Sequence, residues 1–159
     1  MATFKSNLYG AIPSESTASG AVTSTNTYVY KGPYGDRAGG VTTVEGTFTI
    51  PTGIATTDTN DLFPLPAGAR LTSYLHFWED LGGTMTGEVL VDTTQLKTGI
   101  AMGTAQAATA TTALSAAECA TAWSVNATAE KNVRLDFSTI TTAIPGAVYN
   151  FTATYAMAS

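Results

Sequence analysis

Apolar side chains return at every second residue in five separate stretches of this chain. A helix repeats every 3.6 residues and a strand every two, so the spacing restricts these stretches to half-buried strands. In residues 42–50, Val44, Phe48 and Ile50 share a face with Thr42 and Gly46, opposite Thr43, Glu45, Thr47 and Thr49. In residues 70–77, Leu71, Leu75 and Phe77 are expected to point one way, and Arg70, Thr72, Tyr74 and His76 the other. Residues 85–91 place Met85, Gly87, Val89 and Val91 on one side. Val133, Leu135 and Phe137 face inward, with Arg134 and Asp136 outward. Tyr149, Phe151, Tyr155 and Met157 line one face of a final strand regular enough to lie inside a sheet.

Between these runs lie turn signals. Pro64, Pro66 and Gly68 predict a bend over residues 64–69, because proline donates nothing to a ladder and glycine accepts positive φ. Asp80-Leu81-Gly82-Gly83 predicts a hairpin joining strands 71–78 and 84–92 into the central pair. Short strands are expected at 99–103 and 123–128. Ser115 and Glu118 form a capping-box pattern, so one short helix is expected over 116–121. The whole predicts an all-β chain, a jelly-roll-like antiparallel β-sandwich with an extended N-terminal arm and at most one short helix.

Two segments are expected: an arm over residues 1–40 and a sandwich over 41–159. The arm is rich in Ser, Thr, Gly and Ala, yet it carries Phe4 and the cluster Tyr28, Tyr30 and Tyr34. Such aromatics need something to bury them. Either the segment folds back as an edge strand, or it lies across a neighbouring subunit.

Only 12% of the 159 residues are charged, about half the usual share of roughly 25%. That suits a surface covered by other subunits or wetted by hydroxyls. The net charge is −5, with no basic run, so nucleic acid is not an expected partner. No run of 18 apolar residues is present, so no membrane partner is expected either.

No catalytic constellation emerges. His76 is the single histidine, and Ser73 sits three residues away on the opposite strand face, so a Ser-His pair cannot meet there. His76 is therefore expected as a surface or interface imidazole. Cys119 is the single cysteine and reads as an inert buried thiol. One His and one Cys are too few for zinc. Asp58, Asn60 and Asp61 resemble a fragment of a calcium loop but lack its spacing and its glutamate. No cofactor and no metal are expected. Tyr74 and Trp78 share the outward face with His76, which leaves three readings: burial under a covering segment, a subunit contact, or a sugar platform.

The run Leu65-Pro66-Ala67-Gly68-Ala69-Arg70-Leu71, followed by Phe77-Trp78-Glu79-Asp80-Leu81-Gly82 and a strand ending at Asp92, resembles small tailed-phage virion proteins. The opening Met1-Ala2-Thr3-Phe4-Lys5-Ser6 is similar to their starts, and the likeness covers roughly residues 41–159. Within that group the chain is most similar to capsid decoration (cement) proteins. The resemblance implies a non-enzymatic, often trimeric protein on the outer capsid surface of a virion, made in the host cytoplasm. Its partners would be the major capsid protein lattice and further copies of itself. The expected interface residues are Phe4, Tyr28, Tyr30, Tyr34, Tyr74 and Trp78. The alternative is a carbohydrate- or receptor-binding β-module of a tail or fibre.

Overall fold

The structure is a computed structural model that describes residues 1–11, 28–30, 40–106 and 112–157. Tyr34 lies outside the described residues, and Tyr28 and Tyr30 are described by backbone alone.

The strands are β1 (Thr3–Lys5), β2 (Tyr9–Ala11), β3 (Tyr28–Tyr30), β4 (Val41–Thr49), β5 (Thr59–Leu65), β6 (Ala69–Trp78), β7 (Met85–Val91), β8 (Thr94–Ala101), β9 (Thr112–Ala113), β10 (Lys131–Ile140) and β11 (Val148–Met157). The helix, α1, spans Ala116–Asn126. Two sheets pack face to face as a jelly-roll-like sandwich, one ordered β1-β5-β10-β7-β8 and the other β4-β11-β6-β9. Strands β2 and β3 form a small separate pair. All pairings are antiparallel except β1 with β5.

The alternating runs of β4, β7, β10 and β11 bury the faces their sequences predict. Val44, Phe48, Met85, Val89, Val133, Leu135, Phe137, Tyr149, Phe151 and Tyr155 are all at most 2% exposed. Phe63 and Phe151 stack across the two sheets with ring centroids 5.7 Å apart. β11 lies between β4 and β6, as its regularity suggested.

Four expectations need correction. First, β6 and β7 do not form a hairpin. β6 pairs with β11 and β9, whereas β7 pairs with β10 and β8. Residues 79–84 instead carry the chain from one sheet to the other, and Leu81 is fully buried in the crossing. Gly82 sits at φ 104° there, with the Thr142 carbonyl 2.4 Å from where a Cβ would lie, so only glycine fits.

Second, Pro64 is inside β5, opposite Asn132. β1 accompanies β5 only as far as Asp61, so Pro64 sits on an edge, where a missing N–H is tolerated. The turn is confined to residues 66–69, where Ala69 N–H reaches the Pro66 carbonyl at 3.0 Å and Gly68 takes φ 74°.

Third, the helix runs on to Asn126, and no strand forms at 123–128. The capping box is present: Ser115 N–H donates to Glu118 Oε2 at 2.5 Å and Glu118 N–H to Ser115 Oγ at 3.3 Å. Glu118 is held below its ordinary carboxylate pKa, chiefly by the Ser115 backbone N–H. The propensity cost of Thr121 and Val125 is offset by burying Cys119, Ala122 and Asn126, which share one face. Asn126 Nδ2 donates to the carbonyls of Pro66 (2.7 Å) and Ala69 (3.0 Å), and Gly68 N–H donates to the Asn126 carbonyl (2.9 Å). The helix end and the proline-glycine turn therefore hold each other.

Fourth, β6 changes sides partway along. Thr154 of β11 pairs with Ser73, but Tyr155 pairs with Leu71, so Thr72 is an extra residue in β6. Ala69 and Leu71 face the core before this bulge, and Tyr74, His76 and Trp78 face it afterwards. Leu75 and Phe77 are left outside at 38% and 53% exposed.

Candidate functional site

Three regions gather the residues with chemistry. The first is the inward cluster of β6. Tyr74 and His76 are fully buried, and Trp78 is 7% exposed. This overturns their expected outward placement, and with it the surface role for His76 and the contact or sugar roles for Tyr74 and Trp78. Tyr149 Oη lies 2.7 Å from Tyr74 Oη and 2.6 Å from His76 Nδ1, so the hydroxyls and imidazole form one buried chain. Trp78 Nε1 donates to the Thr104 carbonyl at 3.2 Å. Burial, and then the charge of Lys97, pushes the His76 pKa down to about 4, so the ring is neutral at pH 7. Burial raises both tyrosine pKa values. Neutral, enclosed and hydrogen-bonded, the cluster reads as core architecture. Cys119 is also buried, and burial raises its thiol pKa.

The second region is the seat of the N-terminal residues. β1 lies parallel along β5, with Thr3 opposite Thr59 and Lys5 opposite Asp61. Asp58 accepts from the backbone N–H groups of Ala2 (2.6 Å) and Ala55 (2.9 Å), which holds its carboxyl below its usual pKa. Lys5 pairs with Asp61, which also accepts from Asn132 Nδ2 at 3.0 Å. Ser6 N–H donates to the Asp61 carbonyl at 2.9 Å, and Asn7 N–H donates to the Thr47 carbonyl at 2.9 Å. Two consecutive residues thus tie β5 of one sheet to β4 of the other.

Phe4 and Leu8 are half-buried against the chain's own core. The carboxylates that resembled a calcium loop are therefore spent on the N-terminus, and Asn60 Nδ2 donates to the Leu135 carbonyl at 2.7 Å. Among the described residues no group of three or more His, Cys, Asp or Glu could hold a metal ion.

Ion pairs continue from that seat across the outer face of the five-stranded sheet. Lys131 pairs with Asp92 at 2.9 Å, and Arg134 pairs with Asp136 and lies 3.8 Å from Asp61. Arg134 and Asp136 are half-buried rather than freely exposed, and burial raises the Asp136 pKa.

The third region is the outer face of the other sheet. Register places Thr43, Thr154 and Ser73 in one row, Glu45, Thr152 and Leu75 in the next, and Thr47, Asn150 and Phe77 in a third. Thr43 Oγ1 and Thr154 Oγ1 are 3.2 Å apart, and Thr72 Oγ1 donates to the Thr154 carbonyl at 3.0 Å. Glu45 is the carboxylate of these rows. At one end Arg70 turns away over the Trp123 ring, 4.5 Å from its centroid. Simple alternation assigned Phe77 and Leu75 to the core. The adjacent polar pair Thr72-Ser73 was the one hint of the bulge that turns them out.

No protein-family model matches the chain, and no curated protein matches it. Chains in two solved structures share its fold. One belongs to the capsid of Ralstonia phage GP4, with a TM-score of 0.59 and 20% identity, covering 80% of this chain and 90% of that one. The other belongs to the cyanophage Pam1 capsid asymmetric unit, with a TM-score of 0.52 and 19% identity, covering 89% of this chain and 99% of that one. At such identity the likeness is one of fold.

Proposed function

We propose that this chain is a non-enzymatic structural protein of a phage virion, and within that class a capsid decoration (cement) protein. On this reading it binds the major capsid protein lattice from outside, as a homotrimer, and stabilises the head. One observation carries the proposal: the fold is shared, over 80% and 89% of the chain, with chains from two phage capsid structures. The physical character agrees. The body is a stiff sandwich whose polar clusters are committed to holding itself together. A protein of this kind works by covering surface, and contacts that are weak singly become strong when repeated over a lattice.

The carbohydrate-binding alternative relied on Tyr74 and Trp78 as a platform, and both are buried.

The test mixes the purified chain with shells of its source phage assembled without it, followed by sedimentation and electron microscopy. Repeated density over the outer shell is expected, with light scattering giving a trimer. Absence from the pellet, or density confined to the tail, would overturn the reading.

A further inference from the structure

The two outer faces of the sandwich differ in chemistry. The five-stranded sheet presents the belt Lys5, Asp61, Arg134 and Asp136. The outer rows of β4, β11 and β6 present hydroxyls, one amide, Glu45, and the apolar Leu75 and Phe77. Resting on the virion reading above, we propose that this second face is the docking surface, with Phe77 as its anchor, and that its occupant is an uncharged patch of the shell protein rather than a second copy of this chain.

Two arguments select that occupant. The first is charge. The centres of protein interfaces are depleted of charge and enriched in aromatics, and this face has that composition while the opposite one does not. Glu45 stands on the edge strand β4, at the solvated rim, so a patch without charge can meet the hydroxyl rows and Phe77 without burying that carboxylate.

The second argument is area. Three strands about 4.8 Å apart, each nine residues long at about 3.3 Å per residue, cover about 400 Å². A stable free complex buries roughly 800 Å² per partner. The face is thus too small to hold a dimer in solution, but large enough for one of many contacts on a shell, where repetition supplies the missing strength.

Phe77 is more than half exposed, so its replacement leaves the core intact. The experiment compares the wild type with Phe77→Asp and, as a control on the other sheet, Thr98→Lys, in sedimentation with shells lacking the chain. Wild type and Thr98→Lys are expected to bind alike, and Phe77→Asp to bind about thirtyfold more weakly, the loss of a central anchor. Should Phe77→Asp fold poorly, Thr43→Lys, exposed two strands away in β4, carries the same test. Wild type that fails to bind shells overturns the virion reading and this inference together. Wild type that binds while Phe77→Asp and Thr43→Lys bind equally well overturns the inference alone. A wild-type oligomer in light scattering, dimer or trimer, that Phe77→Asp splits into monomers makes a second copy the occupant and also overturns it.

Discussion

Leu71 and Tyr74 both point into the core, although they stand three residues apart in one strand. Strict alternation forbids this, and the extra residue at Thr72 permits it. Everything downstream in β6 is turned over as a result. Trp78 is interior and Phe77 exterior, the reverse of a simple period-two reading.

That reversal has a measurable consequence for stability. Trp78→Ala should cost about 3–5 kcal/mol, the range for emptying a large aromatic site in a core. Phe77→Ala should cost less than about 1 kcal/mol, as at other exposed positions. Urea denaturation of the two variants checks the order, and a larger loss for Phe77→Ala than for Trp78→Ala would restore the unbulged register.

The same residue explains what could and could not be read in advance. The apolar faces of β4, β10 and β11 were legible because alternation runs unbroken through their inward residues, from Val44 to Ile50 and from Val133 to Phe137. The chemistry of Asp80, Gly82 and Gly83 announces a change of direction but not which sheet follows, so β6 and β7 read as a hairpin. The length of α1 was hidden because its extension depends on burial of Ala122 and Asn126 against distant strands. The roles of Asp58 and Asp61 were hidden for the same reason, since their partners Ala2 and Lys5 lie 56 residues away. The candidate docking face was illegible as a whole, because it exists only after the bulge has put Phe77 outside.

Asn126 makes a prediction about the proline-glycine turn. Its side chain satisfies the carbonyls of Pro66 and Ala69 and is itself fully buried. Asn126→Ala removes the side-chain donor from the buried Ala69 carbonyl, a loss of about 1–3 kcal/mol, while the Pro66 carbonyl keeps the Ala69 N–H. Hydrogen exchange should show faster opening at Gly68 and along the last turn of α1, with β10 and β11 little changed. Uniform acceleration would show that the turn and the helix end are not a local unit.

The N-terminal seat should behave as part of the sandwich rather than as a loose tail. Ser6 is 3% exposed, and its hydroxyl donates to the Leu62 carbonyl. Ser6→Ala is expected to cost about 1–3 kcal/mol through the unpaired carbonyl. Gly46→Ala reaches the same seat from β4, since a Cβ there would meet the Phe151 ring at 2.6 Å and Leu8 at 3.0 Å. It should destabilise by about 1–3 kcal/mol. Neutral effects of both substitutions on the melting temperature would mean that residues 6–8 do not close the sandwich edge.

The buried imidazole makes the protein sensitive to mild acid. The folded pKa of His76 is about 4, below the ordinary 6.5, because its charged form would be desolvated and would face Lys97. Above pH 6.5 neither folded nor unfolded chain binds this proton. Between pH 6.5 and 4 only the unfolded chain binds it, so stability falls as pH falls, by about 1.4 kcal/mol per unit and about 3 kcal/mol in total. Below that window Asp58 acts in the same direction. Its depressed carboxyl contributes stability above its ordinary 3.8 and loses it as the folded group is protonated. Denaturant unfolding at half-unit pH steps separates the two. His76→Gln should flatten the curve between pH 6.5 and 4 and leave the steeper acid limb in place, whereas Asp58→Asn should soften only that limb. A wild-type slope that persists unchanged in His76→Gln would assign the mild-acid sensitivity to some other group.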